Sequence, residues 1–536
     1  MSENTGPAYS TASPRAACAI DIFDEGADRY PQRTCLQDGE HSLNYSEVQA
    51  LTNQIAAGLE AEGFGLGAHA AVLSTNHPYA FVCVLGILRA GGVWLSLNAR
   101  NATDETSRTL RDFDCDVLFF HHAFSGVVAE LRAQAPSIRR AICIDRPWDD
   151  APDLLAWAAR FSAHFATPAL SPDAVAIMSA TGGTTGQPKG VMLTHKNFIT
   201  FCDGVEWQFA DDREPVYLAA APMTHVGGRF CFPVMRRGGT VVILGSAEPQ
   251  AILAAISKYR VSRMFLPPTA IYTLLMQPNV RDVDYSSLKY FTYGGAPMSV
   301  YKLKEAITVF GPVMTQGYGQ TEAPMLIAYL SREDHFKDGK LGGEIADDER
   351  LSSCGRATPF SKIGIMDDAG HLLAQGQVGE IVVRGDFVMK GYYKNPEATA
   401  EVSQHGWHHT GDIGRLDVNG YLQIVDRKKD MIVTGGFNVY SAEVEQVILA
   451  LPQVQDCVVI GVPDEKWGEA VHAVVQIKPG TSLTESDVIA ACRPRLGGVK
   501  TPKSVEFRKQ LPRSPVGKAL KREIRDGYWA GHARKI

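Results

Sequence analysis

The sequence predicts an α/β fold: a large N-terminal domain of stacked α/β sheets with a β-rich subdomain, then a small mobile α+β C-terminal domain. Short apolar runs bounded by Gly and Pro predict buried strands, and longer runs with helical periodicity lie between them. Such alternation is typical of α/β architectures. The predicted strands are 69–74, 93–97, 174–178, 216–221 and 240–244, and the predicted helices are 46–62, 79–90, 191–204 and 248–259.

The character of the chain changes after about residue 355, where shorter β segments alternate with turns. The segments 367–370 and 417–420 are typical of hairpin turns, so the region of about 355–425 is predicted to be the β-rich subdomain. A charged stretch at 426–430 predicts the domain boundary. The predicted divisions are a flexible tail at 1–15, an N-terminal domain at 16–428 and a C-terminal domain at 429–536.

Composition and charge narrow the class of protein. The 536 residues carry 53 basic and 59 acidic side chains, a net charge of -6, which provides no general attraction to nucleic acid. The 10 cysteines form no CxxC pair, so free thiols in a reducing cytoplasm are the simplest interpretation. The apolar run at 80–88 is far shorter than the roughly 20 residues that span a bilayer. Residues 1–15 are interpreted as a frayed tail rather than a signal peptide.

A loop rich in glycine and hydroxyl groups follows the predicted strand at 174–178. Residues 181–190 read TGGTTGQPKG, which combines three threonines and four glycines with Lys189. Backbone N–H groups and hydroxyls of such a loop can wrap around a polyphosphate. Because Lys189 follows Pro188 and no Ser or Thr follows the lysine, this is not a Walker A loop. A mobile surface turn would not need these residue types together, so we predict a phosphate-binding loop.

Three further turns carry groups suited to a nucleotide. Residues 293–297 read YGGAP and residues 316–322 read QGYGQTE. Glycine lets the backbone approach a flat ring, Tyr318 can stack on a purine, and Glu322 can supply an oxygen ligand for Mg²⁺. The third turn, 410–412, presents an acceptor-only carboxylate to which a ribose diol can donate two hydrogen bonds.

The loop at 181–190 resembles the signature loop of the adenylate-forming (ANL) superfamily, which contains acyl-CoA synthetases, luciferases and nonribosomal-peptide adenylation domains. The other turns follow it in the order and at the spacing of that family's core motifs, so the resemblance covers about residues 20–525. Gly182 departs from the Ser/Thr-Ser-Gly with which the family loop commonly begins. The departure leaves the phosphate role intact.

The resemblance implies a role for each matched position at the nucleotide. The implied phosphate-loop residues are Thr181, Gly182, Gly183, Thr184, Thr185 and Gly186. The implied residues around adenine and the acyl pocket are Gly294, Gly295, Ala296, Pro297, Gln316, Gly317, Tyr318, Gly319 and Thr321. Glu322 and Thr185 are the implied Mg²⁺ ligands. Asp412 would bind ribose, and Arg427 ribose or phosphate.

The resemblance also implies the reacting groups and a moving domain. His225, in the segment PMTHVGG at 222–228, matches the family's aromatic or His position beside the carboxylate. The hinge falls at Lys429, and Gly435 and Gly436 would line the approach of a thiol. Lys518 matches the family's catalytic lysine and would act with Lys189, His225 and Glu322. Ser441 stands where the family often has Pro.

The predicted function is an acyl-CoA synthetase that uses ATP, Mg²⁺ and coenzyme A. It would convert a carboxylic acid first to an acyl-adenylate and then to a thioester, releasing AMP and pyrophosphate. Small residues at 226–228 and 294–296 predict a roomy acyl pocket, which favours a medium or bulky acid over acetate.

Three alternatives stay open at this point. The enzyme could transfer its acyl group to a carrier protein, could perform only one half-reaction, or could be a non-catalytic nucleotide sensor on the same fold. An α/β hydrolase is disfavoured because no G-x-S-x-G elbow occurs in the chain. The sequence leaves a monomer and a homodimer equally open.

Overall fold

The structure is a computed structural model that describes residues 16–182, 188–513 and 519–530. It confirms the predicted fold class, with a large N-terminal α/β domain and a separate small C-terminal domain. The strands are β1 (Thr34–Asp38), β2 (His41–Asn44), β3 (His69–Leu73), β4 (Val93–Ser96), β5 (Cys115–Phe120), β6 (Arg140–Cys143), β7 (Val175–Gly182), β8 (Pro188–Thr194), β9 (Val216–Ala219), β10 (Thr240–Ile243), β11 (Arg263–Leu266), β12 (Tyr290–Tyr293), β13 (Met314–Tyr318), β14 (Ala328–Leu330), β15 (Arg356–Ala357), β16 (Lys362–Met366), β17 (Gly379–Arg384), β18 (Gly391–Tyr392), β19 (His408–Leu416), β20 (Leu422–Arg427), β21 (Ile432–Thr434), β22 (Phe437–Val439), β23 (Val454–Asp464), β24 (Gly468–Ile477) and β25 (Ser504–Phe507).

The helices lie mostly between strands, as the alternating pattern predicts. They are α1 (Asp21–Arg29), α2 (Tyr45–Ala61), α3 (Pro78–Arg89), α4 (Thr103–Asp112), α5 (Ser125–Gln134), α6 (Leu154–Ala158), α7 (His195–Gln208), α8 (Val226–Arg229), α9 (Cys231–Arg236), α10 (Pro249–Lys258), α11 (Pro268–Leu275), α12 (Val300–Phe310), α13 (Asp348–Leu351), α14 (Pro396–Glu401), α15 (Ser441–Leu449), α16 (Glu485–Lys500) and α17 (Lys521–Tyr528). Within the described ranges, none of these helices is both long and apolar enough to cross a membrane.

Two mainly parallel sheets form the body of the N-terminal domain. One has nine strands in the order β15-β14-β13-β12-β11-β9-β10-β1-β2, and the other has seven in the order β18-β8-β7-β4-β3-β5-β6. A third, antiparallel sheet has the order β16-β17-β19-β20. The C-terminal sheet joins β22, β21, β24 and β23, with β25 beside β24. All ten cysteines are buried and free.

The predicted helix at 191–204 is wrong in its first part. Residues 188–194 form β8, which pairs antiparallel with β7, and α7 begins only at His195. Thr194 caps α7 in a reciprocal pair with Asn197, and such a capping box fixes where a helix starts. The loop at 183–187 therefore joins two strands of one hairpin rather than a strand and a helix.

His195 ties the first described residues to this helix. Its side chain is 1% exposed, and its Nδ1 accepts a hydrogen bond of 3.0 Å from the backbone N–H of Ala19. An accepting Nδ1 carries no proton, so the ring is neutral in the folded protein. Burial lowers the pKa of His195 to about 4, against the opposing charge of Asp21.

This histidine should make the protein less stable in acid. Because its pKa is lower in the folded than in the unfolded chain, the unfolded chain binds more protons between pH 6.5 and 4. Stability is therefore lost as pH falls through that window, by about 2 kcal/mol between pH 7 and 5 for this one group. Urea unfolding of the wild type and of His195→Gln at both pH values should show a smaller pH dependence in the variant. His164→Gln, at an exposed position, is the control, and an equal pH dependence in all three proteins would contradict the assignment.

Candidate active site

The predicted phosphate loop is held by the hairpin of β7 and β8. Thr181 pairs with Lys189 and Gly182 with Pro188 across the ladder, so the two ends of the loop are adjacent. The Nζ of Lys189 lies 4.9 Å from the centre of the Tyr392 ring, a distance at which the ring face attracts a cation. The remaining predicted loop residues, Gly183, Thr184, Thr185 and Gly186, lie outside the described residues.

The two glycine turns follow neighbouring parallel strands. Gly294 follows β12 and Gly319 follows β13, so both turns emerge at the carboxyl edge of the same sheet, where ligands bind in open α/β sheets. A Cβ on Gly294 would lie 2.9 Å from the carbonyl oxygen of Gly317, and one on Gly319 would collide with the backbone nitrogen of Met325. Glycine is required at both positions because backbone already occupies the space that a side chain would need.

Asp412 is buried among groups that fix its carboxylate. The hydroxyl of Tyr318 donates to Oδ2 over 2.6 Å, and the side-chain amide of Gln320 donates to the same oxygen over 3.4 Å. Arg427, the ladder partner of Asp412 between β19 and β20, places its Nε 3.3 Å from Oδ1. Asp412 and Arg427, which lie 15 positions apart in the sequence, thus form one ion pair.

Glu322 is positioned by Tyr392 of β18. The tyrosine hydroxyl donates to Oε1 of Glu322 over 2.8 Å, and the Met389 N–H donates to the Glu322 carbonyl over 2.8 Å. Mg²⁺ usually takes one or two protein carboxylates and completes its shell with phosphate oxygens and water. The half-buried carboxylate of Glu322, in a cavity that Thr181 and Lys189 also line, fits that requirement. No group of three or more His, Cys, Asp or Glu side chains suited to a metal occurs among the residues that the structure describes.

His225 is a neutral side chain at the start of α8. Burial, helped by the charge of Arg229, lowers its pKa to about 4. The imidazole is therefore uncharged near pH 7, where it can orient a carboxylate through a hydrogen bond but cannot neutralise its charge.

These groups surround one cavity of about 1680 Å³. That volume exceeds the ~300–1,000 Å³ of a pocket for one small ligand, so it has room for a nucleotide and an acid together. The C-terminal domain closes one side of it through Asp456, Lys509 and Arg513. The predicted residues that line it are Thr181, Lys189, His225, Gly294, Gly295, Ala296, Gly319, Thr321, Glu322, Asp412, Arg427 and Lys429.

Other predicted residues in the described ranges lie elsewhere. Gln316, Gly317 and Tyr318 belong to β13, and Pro297 comes after the turn. Gly435 and Gly436 connect β21 to β22, where Gly435 faces the indole of Trp467 rather than the cavity. Lys518 lies outside the described residues, although Arg513, just before it, lines the cavity. The roles of all these residues stay predictions.

Sequence reasoning missed three contributors. Tyr392 and Gln320 hold the carboxylates of Glu322 and Asp412, and Arg229 lines the cavity beside His225. Gln320 lies within the turn at 316–322, next to residues that were predicted to bind the nucleotide. Tyr392 lies 70 positions from its partner Glu322, and its neighbours in the sequence give no sign of a role. Arg229 could have been noticed in the sequence, because it is the only charged residue in the apolar segment 226–235.

The site defines a class of protein: an enzyme that holds a nucleotide's phosphates, ribose and base beside a second, acyl-sized space. Comparison with known families agrees. The family of AMP-binding enzymes matches residues 23–393, and the C-terminal domain of AMP-binding enzymes matches residues 443–518.

Individual relatives narrow the class. The medium/long-chain-fatty-acid–CoA ligase FadD8 of Mycobacterium tuberculosis is 35% identical, with coverage of 95% of this chain and 90% of the relative. The feruloyl-CoA synthase of an Amycolatopsis species is 37% identical, covering 92% and 96%. Among solved structures, the amide bond synthetase McbA of Marinactinospora thermotolerans superposes with a TM-score of 0.86 at 30% identity, covering 95% of this chain and 100% of McbA.

The chain therefore belongs to the AMP-binding enzyme family. It is an ATP-dependent acyl-CoA synthetase, an AMP-forming acid–thiol ligase that uses ATP and coenzyme A with Mg²⁺.

The contact between Tyr392 and Glu322 predicts a specific defect in Tyr392→Phe. Without the hydroxyl, Glu322 loses one hydrogen bond to its carboxylate, worth about 1.5–3 kcal/mol for a charged acceptor. The Mg²⁺ concentration that gives half-maximal pyrophosphate release should rise about tenfold. The matched control is Tyr393→Phe, which loses a similar hydrogen bond to Asp114. Equal Mg²⁺ dependence in both variants would contradict the positioning role.

Proposed function

We propose that the enzyme activates a medium or bulky carboxylic acid, fatty, aromatic or polycyclic, and transfers the acyl group to coenzyme A in the cytoplasm. The observation that carries the proposal is the cavity of about 1680 Å³. Nucleotide-binding groups line one part of it, and apolar side chains of α10, α11 and β11 line another. An acid in the apolar part would present its carboxylate to the phosphates.

The apolar part supports a long or ring-shaped acyl group. Ala270, Tyr272 and Leu275 of α11 line it. Burial of apolar surface contributes about 25 cal/mol per Å², so a larger acyl group gains more affinity than acetate in such a space. The fatty-acid and feruloyl names of two relatives agree with this range of acids.

In the first half-reaction, a carboxylate oxygen attacks the α-phosphorus of ATP, forming the acyl–phosphate bond while the bond to pyrophosphate breaks. Two anions must meet, so positioning and charge neutralisation supply most of the catalysis. We assign the neutralising charge to Lys518 and Lys189, and Mg²⁺ held by Glu322 and Thr185 would add charge at the phosphates. Asp412 and Arg427 fix the ribose.

In the second half-reaction, the coenzyme A thiol attacks the acyl carbon and AMP leaves. We assign the N-terminal domain to residues 16–428, the C-terminal domain to 429–536, and the hinge to Lys429. The position of Gly435 and Gly436 away from the cavity supports an arrangement suited to the first half-reaction. Rotation at the hinge would bring those glycines to the thiol path and withdraw Lys518.

A buried polar network spans the hinge in this arrangement. Asp426, before Lys429, accepts hydrogen bonds from the backbone N–H of Ser441 and, over 3.0 Å, from its hydroxyl. Lys521 donates to Ser441 Oγ over 2.7 Å and pairs with Glu445 over 2.8 Å. Because Lys521 follows Lys518 by three residues, we infer that this network orients the segment that carries Lys518 for adenylation.

The direct test is ATP consumption over a panel of acids, including acetate, octanoate, decanoate, benzoate and ferulate, with and without coenzyme A. Products are resolved into AMP, pyrophosphate and acyl-CoA. We expect turnover that requires both acid and coenzyme A and that is faster for octanoate or ferulate than for acetate. A preference for acetate would contradict the substrate class. Acyl transfer to a purified carrier protein but not to coenzyme A would replace the proposed acceptor.

The assignment of Lys518 predicts a defect confined to one half-reaction. Loss of one charge stabiliser costs on the order of 100- to 1000-fold in rate. Lys518→Ala should lose adenylation by that factor, measured as acid-dependent pyrophosphate release. It should still form acyl-CoA from supplied acyl-adenylate at near the wild-type rate. Equal loss in both assays would refute the division of labour.

The network at Asp426 predicts a graded effect of substitutions at Ser441. Ser441→Pro removes both the N–H and the hydroxyl, although proline is well tolerated at the first position of a helix. Adenylation should slow about tenfold while thioester formation from acyl-adenylate is kept. Ser441→Ala keeps the N–H and should show a smaller effect. If Ser441→Pro slows thioester formation as much as adenylation, the network has no bias toward the first half-reaction.

A further inference from the structure

Arg229 is a buried cation that pairs with no carboxylate among the residues that the structure describes. It is the last residue of α8, its side chain is 1% exposed, and it lines the cavity. One nitrogen, Nη2, donates to the hydroxyl of Ser179 over 2.6 Å. The Nε–H is buried and has no hydrogen-bond partner within residues 16–182, 188–513 and 519–530.

The other deeply buried arginines show how this chain normally treats such a group. In the described residues, Arg89 and Arg263 are 4% and 3% exposed. Arg89 pairs with Asp24 over 2.5 Å, and Arg263 pairs with Asp212 over 2.7 Å. Arg229 is more buried than either, yet burial is the only influence on its pKa, which falls to about 10.

An unpaired buried guanidinium is costly, because leaving water removes several kcal/mol of solvation that only a nearby anion can replace. Arginine stays protonated near pH 7 and so cannot escape the cost by losing its charge. A bound anion can supply the partner that the described part of the chain does not provide.

The position of Arg229 selects the anion. Its hydrogen-bond partner Ser179 lies two residues before Thr181, and its charge acts on the adjacent His225. It therefore lies between Thr181, at the edge of the predicted phosphate loop, and His225. The phosphates already have Lys189 and Arg427 nearby, whereas the neutral His225 gives the carboxylate no charge partner.

We propose that Arg229 binds the reacting carboxylate of the acid substrate, its guanidinium forming the charged half of a site whose neutral half is His225. The inference rests on the proposed function, because it assumes that an acid occupies this cavity. The interaction belongs to the first half-reaction only, since the carboxylate loses its charge when the acyl-adenylate forms. Arg229 would thus select ionised acids over neutral analogues of the same shape.

The test compares charged and neutral ligands in charged and neutral variants. Arg229→Met removes the charge at similar length, and Arg229→Lys restores a charge without the guanidinium fork. The probes are octanoate against octanamide, and ferulate against its primary amide. The readouts are the KM for each acid, inhibition by each amide, the KM for ATP, and acyl-CoA formation from supplied acyl-adenylate.

We expect Arg229→Met to raise the KM for the acids about 100-fold while the KM for ATP and amide inhibition change little. Arg229→Lys should recover part of the loss, and both variants should use supplied acyl-adenylate normally. Without ligand, Arg229→Met should melt no lower than the wild type, because it leaves no buried carboxylate of the described residues unpaired and removes only the hydrogen bond to the Ser179 hydroxyl. Arg263→Met takes the buried arginine from Asp212 and leaves that buried carboxylate only the half-exposed Lys289 as a cation, so it should melt clearly lower.

Failure of this inference differs from failure of the proposed function. Normal turnover with an unchanged acid KM in Arg229→Met would overturn the inference and leave the enzyme assignment intact. An Arg229→Met protein that melts well below the wild type with unchanged acid KM would make the arginine structural. A raised KM for ATP with an unchanged KM for the acid would mean that Arg229 binds the nucleotide rather than the acid, and would also overturn the proposal.

If no acid on the panel turns over, the proposed function fails and thermal shifts decide the inference. The proposal then stands if octanoate or ferulate raises the wild-type Tm more than its amide does and this difference disappears in Arg229→Met. It falls if acid and amide shift the two proteins equally.

Discussion

Two negatively charged molecules must come within bonding distance in this enzyme, and that repulsion explains most of what surrounds the cavity. At 4 Å two unit charges repel by about 4 kcal/mol near a protein surface, and by more where water is excluded. Three cations from separate elements line the cavity: Lys189 on β8, Arg427 on β20 and Arg229 on α8. Each is held in place by a different contact, so the positive charge is distributed around the space where the anions meet.

Hydrogen bonds from neighbouring side chains hold the two carboxylates of the site in place. Tyr318 and Gln320 hold Asp412, and Tyr392 holds Glu322. An acceptor locked by donors from the protein keeps its remaining lone pairs aimed at a ligand, which lowers the reorganisation needed when the ligand arrives. The charged groups and their supports belong to three different sheets, so the site depends on how those sheets pack together.

Local pattern was enough to predict much of the fold. The strand at 69–74 was predicted from a short apolar run that follows Gly67. The helix at 46–62 was predicted from apolar residues at helical spacing, with Asn44 before it and Gly63 after it. The start of the predicted helix at 191–204 was wrong, because an apolar run such as Val191, Met192 and Leu193 is compatible with a helix and with a strand. Only pairing with β7, a contact outside the window, makes them a strand.

Candidate site residues follow the same division. Glycine turns and the pair of Asp412 and Arg427 could be predicted because each motif is contiguous and its chemistry is local. Tyr392 could not, because its partner Glu322 lies 70 positions away and only folding brings the two together. Arg229 stands out in the sequence as a lone charge in an apolar segment, but its contacts are seen only in the structure. Buried charge without a partner is visible only once the neighbours of a side chain are known.

The backbone contacts at Gly294 and Gly319 have a consequence for how such an enzyme can diverge. Neither position can accept a side chain without moving backbone, so the nucleotide end resists substitution. The proposed acyl end is lined by side chains such as Ala270, Thr273 and Leu275, whose size can change without disturbing a turn. Adaptability is thus concentrated at one end of the cavity, and new acids can be recruited by single substitutions while the adenylation chemistry is inherited unchanged.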